Sequence, residues 1–199
     1  MSKSSARELV ERLAQISGWR GEIETARDWE FVERELGTSL PDDYKQLLSR
    51  FPSGSYRNAI WVRNPIDARV DLSDYIENDV RSVIDVIGDE EMTYLDDADY
   101  RLFPEREGLL PWGDDLQGGM FCWVTGRSEP DHWPVAYYNQ DLDKWKETSK
   151  PMVEIILEVL VNNGENNILG WNLDHEPAVF RVPSVHLGNG IWKPNPGYE

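Results

Sequence analysis

The run Met120-Phe121-Cys122-Trp123-Val124 constrains the fold more than any other part of the chain. It is apolar at odd and even positions alike, so as a strand it has no face for water and must be covered on both sides. Two further strand candidates flank it, Leu109 to Trp112 and Val135 to Tyr138. Turn clusters at Gly113-Asp114-Asp115, Gly118-Gly119, Gly126-Arg127-Ser128 and Asn139-Gln140-Asp141 separate the three. Short turns between successive strands favour antiparallel pairing. Covering that sheet then requires helices, and the sequence supplies them.

The first helix is specified by Ser5 with Glu8 three residues later, a capping box, followed by Leu9, Leu13 and Ile16 on one face. A second starts near Thr25, carries Trp29, Val32 and Leu36, and stops at Gly37. Pro41 opens a third, where Asp42 and Asp43 complement the helix dipole and Tyr44, Leu47, Leu48 and Phe51 form its buried side. From Leu72 to Ile87 the spacing of Ile76, Val80, Val83, Ile84 and Ile87 is again helical, closed by Gly88. Residues Pro151 to Asn162 carry the clearest stripe, Met152, Ile155, Ile156, Val159 and Leu160. Ala59 to Val62 and Ala178 to Val182 are further short strand candidates. The predicted class is α+β, a single mostly antiparallel sheet packed by helices. Residues 1–162 form the domain, and the Asn-, Gly- and Pro-rich stretch 163–199 is expected as an appendage that lies over it or is partly mobile.

With 40% apolar residues, nine Trp, eight Tyr and five Phe among 199 residues, the chain can bury enough area to offset its ordering entropy. One cysteine excludes an intrachain disulfide and a Cys-rich zinc module. The N-terminal residues run directly into a charged helical pattern without a signal-like apolar stretch, and no segment reaches the roughly 20 apolar residues of a membrane span. A cytoplasmic location is the expectation. A net charge of −17 repels phosphate backbones and anionic lipid, which disfavours nucleic-acid and membrane partners, and it speeds encounter with a basic protein.

Two stretches resemble the SUKH superfamily, which groups bacterial toxin-immunity proteins with fungal cell-wall regulators. The first is Trp29 to Tyr56, where Leu36-Gly37, Leu40-Pro41, Asp43-Tyr44 and Leu47-Leu48 match the family's helix–LP–helix opening. Phe51-Pro52-Ser53-Gly54 departs from the family, which more often has Gly-x-Gly there. The second is Leu110 to Val135, similar to the family's central strand pair with its acidic, glycine-containing turn. Together with the final hydrophobic helix these blocks cover residues 6–162. The resemblance implies an α+β fold, no enzymatic activity, no cofactor, and often the neutralisation of a toxin, commonly a nuclease.

Candidate chemistry is sparse. Cys122 lies between Phe121 and Trp123 with no His nearby in sequence, the setting of a buried inert thiol. His132, His175 and His186 have acidic neighbours but no metal-ligand spacing. Asp114 and Asp115 invite comparison with an acid/base pair or magnesium ligands, whereas an Asp following Gly113 is also a turn former. Replacing both with Asn is expected to leave stability nearly unchanged.

Charge distribution carries the strongest functional signal. Between Asp85 and Asp115 there are eleven acidic residues against Arg101 and Arg106, more than half of the chain's net charge. Such a stretch is either a solvated loop or a recognition surface for Lys and Arg. The candidate partner-binding residues are Asp85, Asp89, Glu90, Glu91, Asp96, Asp97, Asp99, Asp114 and Asp115. The resulting reading is a non-catalytic binding protein, an immunity protein that neutralises a basic nuclease-type toxin domain. Its alternatives are a regulatory adaptor without a toxin partner and a metal-dependent hydrolase using Asp114 and Asp115.

Overall fold

In a computed structural model, which describes residues 5–96, 98–186 and 192–194, the doubly apolar run becomes β5 (Met120–Val124), every residue of it buried. It pairs antiparallel with β4 (Gly108–Asp114) and β6 (Val135–Asn139). The sheet continues through β7 (Lys144–Thr148) at one edge and through β2 (Ile60–Val62), β1 (Gly54–Tyr56) and β8 (Phe180–Arg181) at the other. The two-residue strand β3 (Arg101–Leu102) joins β4 in parallel. This is the expected single, mostly antiparallel sheet. A separate two-stranded sheet pairs β9 (Ser184–His186) antiparallel with β10 (Trp192–Pro194).

The two parities of β5 enter two different apolar clusters, which is why neither shows a polar residue. Phe121 and Trp123 join the larger cluster with α1 (Ala6–Ser17), α3 (Asp42–Leu48) and α6 (Met152–Val161). Met120, Cys122 and Val124 face a smaller one, built with Leu109, Ala136, Tyr138 and Ile87. Aromatic rings knit the larger side: Trp112 lies 4.8 Å from Phe121, which stacks on Tyr137 at 4.5 Å.

Capping follows the sequence where its signals are local. The Ser5–Glu8 box forms in both directions, and Gly18 and Gly37 end α1 and α2 (Trp29–Leu36) in left-handed conformations. The second helix begins at Trp29, not near Thr25, because Asp28 caps it through the Phe31 N–H while Thr25 is taken by a bridge to Asp67. Asp43 does more than complement its own helix dipole. Its Oδ2 accepts the Val153 N–H at 3.0 Å and so caps α6, which has no side-chain cap of its own. The helical stretch from Leu72 comprises α4 (Leu72–Asp74), a π-helical segment (Tyr75–Arg81) and α5 (Ser82–Ile87).

Packing does not break at Asn162. Leu169, Leu173 and Phe180 belong to the larger core, and β8 extends the sheet. Arg57, buried at 3% exposure, fastens this stretch. Its guanidinium donates to the carbonyls of Val159, Leu160 and Asn162 at the end of α6, and to those of Leu173 and Glu176 beyond it. A cation at a helix C-terminus also meets the negative end of its dipole.

Candidate functional site

The acidic segment is an anchored cover rather than a free loop. Beyond α5 the chain crosses the smaller apolar cluster, and Tyr94, Leu95, Tyr100 and Leu102 pack into that cluster beside Trp145. Tyr94 meets Tyr138 edge-on at 4.8 Å, Tyr100 meets Trp145 at 5.5 Å, and the Trp145 indole donates to the Tyr94 carbonyl at 2.7 Å. With these residues turned inward, Asp89, Glu90, Glu91, Asp96 and Asp99 of the segment are left exposed, and Asp85 is exposed on α5 before it. Asp97 lies outside the described residues. Among the described residues none of the six forms an ion pair, although Asp89 accepts the Glu91 N–H and closes a local turn. An open groove of about 560 Å³ separates the cover from β7, lined by Asp96, Asp99, Tyr100, Asp143, Trp145 and Glu147 among others. Glu147 is already partnered there by Arg127 at 2.9 Å and by the Tyr100 hydroxyl at 3.0 Å.

The adjacent carboxylates Asp114 and Asp115 separate completely. Asp115 is 2% exposed. One of its oxygens accepts the Gln117 and Gly119 N–H groups at 2.8 Å each, and the other accepts the Tyr137 hydroxyl at 2.7 Å. Gly119 is obligatory in this turn, since a Cβ there would meet Asp115 Oδ2 at 2.2 Å. Asp115 therefore builds the β4–β5 turn and is not part of the exposed acidic surface, and the expectation that removing it leaves stability unchanged does not survive this arrangement.

Asp114 instead faces a cleft of about 200 Å³ where β2 and β4 meet at a single residue pair, Trp61 with Asp114. The π-helical segment packs against β4, and a β-bulge at Trp112 disturbs the β4 register. Gly113 permits the close approach of the two strands: a Cβ there would lie 2.5 Å from the Trp61 carbonyl oxygen. Trp61, Arg63, Asn78, Asp79, Trp112 and Asp114 are among the lining residues. Arg63 bridges Asp79 at 2.6 Å and Asp74 at 2.5 Å. Burial outweighs that pairing at Asp79 and raises its pKa, whereas at exposed Asp74 the Arg63 bond wins and lowers it. Asp114 is pushed up to about 6, first by burial and then by Asp115 and Asp79, against the lowering hydrogen bond from the Leu116 N–H.

The remaining candidates offer little chemistry. Cys122 is fully buried, and burial pushes its thiol well above the usual range. Among the described residues no group of three or more His, Cys, Asp and Glu is placed to hold a metal ion, and no helix is long and apolar enough to cross a membrane. Arg63 and Asp79 were not singled out by the sequence, because their convergence depends on strand divergence that no local pattern encodes.

Fold and site define an α+β module with a carboxylate-rich outer face and a small acidic cleft. The chain belongs to the SUKH superfamily: the family model SUKH_6, described as SMI1-KNR4 cell-wall, matches residues 26–151. That span runs from the approach to α2 through β7 and contains both the acidic cover and the cleft. Helices α1 and α6, which pack on each other, flank it. No curated protein and no solved structure matches the chain.

Proposed function

We propose that this protein is a non-catalytic binding module that docks a basic protein against its acidic cover, and that it serves as an immunity protein for a toxin of the nuclease type. The observation that supports this reading most is the anchoring of the cover. Exposed carboxylates that have no ion-pair partner among the described residues repel one another, yet partly buried aromatic contacts hold them in place. Such an arrangement gains stability when Lys and Arg side chains arrive, and its field accelerates their approach. A nuclease presents a cationic surface to its substrate, and covering that surface excludes the nucleic acid. The family's description as SMI1-KNR4 cell-wall supports a second reading within the same class, a regulatory adaptor that uses the face for another basic partner.

The test is to isolate the stoichiometric partner from cells that make the protein and to follow association by stopped flow. A basic partner is expected, with association slowing at least about 10-fold as the Debye length shrinks between about 0.05 and 0.5 M salt. A neutral or acidic partner, or an on-rate indifferent to salt, contradicts the proposal. Inhibition of the partner's nuclease activity distinguishes the immunity role from the adaptor role.

A further inference from the structure

Asp114 is a carboxylate without a counter-ion in a cleft that has room for one. Among the described residues its only donor is the Leu116 N–H, on Oδ1, and it makes no ion pair. Arg63, the cation lining the same cleft, is committed to Asp74 and Asp79. The volume is several times the roughly 30 Å³ that one water occupies. Trp61 and Trp112 are both among the lining residues, and the partly exposed ring of Trp61 offers an aromatic face, which attracts cations. Local irregularities coincide here as well. A π-helical segment and a β-bulge both border the cleft, and both features concentrate at functional positions.

Resting on the binding function proposed above, we propose that this cleft is a socket for one arginine side chain of the protein partner, its guanidinium paired with Asp114. A planar guanidinium satisfies both demands of the cleft, bonding to carboxylate and stacking on indole, better than an ammonium does. A polyamine offers only ammonium groups. The charged groups around Asp114 are Asp115 in the hairpin turn, Asp79 on the π-helical segment, and Arg63 with Asp74 beside them.

The experiment is an NMR titration of the full chain with N-acetyl-arginine amide, following the indole signals of Trp61 and Trp112 and the carboxyl of Asp114. N-acetyl-citrulline amide, the uncharged isostere, and spermidine serve as comparisons. Arginine amide is expected to shift all three signals, to bind at least about 10-fold more tightly than citrulline amide, and to lower the Asp114 pKa. Binding should weaken about 10-fold between pH 7 and 5, as a carboxyl titrating at about 6 loses its charge. Asp114→Asn should abolish the response, while the double variant Asp96→Lys, Asp99→Lys should keep it. Equal response to citrulline amide, tighter binding of spermidine, or persistence in Asp114→Asn overturns the socket. If the socket fails while partner association still depends on salt, it fails alone. If arginine binds but the partner proves neutral, the acidic-face reading is the one that falls.

Discussion

The indole N–H of Trp145 on edge strand β7 donates to the carbonyl of Tyr94 at 2.7 Å, and this bond ties the acidic cover to the sheet. Replacing Trp145 with Phe keeps a ring against Tyr100 and Tyr138 but removes the donor. The expected global cost is about 1 kcal/mol. Amide exchange at Thr93 to Asp96 should accelerate much more than in α6, because the cover then opens locally. Uniform acceleration across both regions would show that the bond does not hold the cover as a separate unit.

Reversing Asp96 and Asp99 to Lys tests the cover from outside. Both side chains are exposed and unpaired among the described residues, so stability measured in urea should change by no more than about 0.5 kcal/mol. Association with a basic partner should slow by at least about 10-fold at low salt. A folded double variant with an unchanged on-rate would remove these two positions from the interface.

Asp114 and Asp115 should respond in opposite ways. Asp115→Ala leaves two backbone N–H groups and the buried Tyr137 hydroxyl without their acceptor, at a cost of about 3 kcal/mol. Denaturant unfolding of the single variants measures the difference, and near-neutral behaviour of Asp115→Ala would contradict the hydrogen bonding described.

For Asp114 the effect depends on pH. Its folded-state pKa of about 6 lies above the ordinary 3.8, so the folded chain takes up this proton first as pH falls. The penalty for holding the charge is fully present above pH 6, and is relieved as pH drops towards the ordinary value. Asp114→Asn should therefore stabilise by about 1–3 kcal/mol at pH 7.5 and by almost nothing near pH 3.5. An equal gain at both pH values would point to packing rather than charge.

Much of the fold is legible in local pattern. The double parity of β5, the α6 stripe and the Ser5–Glu8 box each encode their own structure within a few residues. What escaped is stabilised from a distance. Strand β1 reads as a turn, Pro-Ser-Gly-Ser, yet it is buried because Phe180 from the far end of the chain closes over Gly54. Strand β7, Lys-Trp-Lys-Glu-Thr, reads as hydrophilic because an edge strand presents charge to solvent. The exposed acids were visible as positions off every apolar stripe, but the anchoring by Tyr94 and Tyr100 was not, since their partners come from β6 and β7. Nothing in the sequence separates Asp114 from Asp115. The hairpin does so, through Tyr137 and Gly119.

Arg57 gives the molecule a division of sensitivities. Its guanidinium is buried and is satisfied by neutral backbone carbonyls and the Asn163 side-chain oxygen, so this closure does not rest on ion pairing. The acidic cover, in the role proposed for it, works through exposed charge, which salt attenuates. If the cover docks a basic protein as proposed, high salt should release that protein well before it loosens the closure of the C-terminal stretch, and the chain can then be recovered in its native shape.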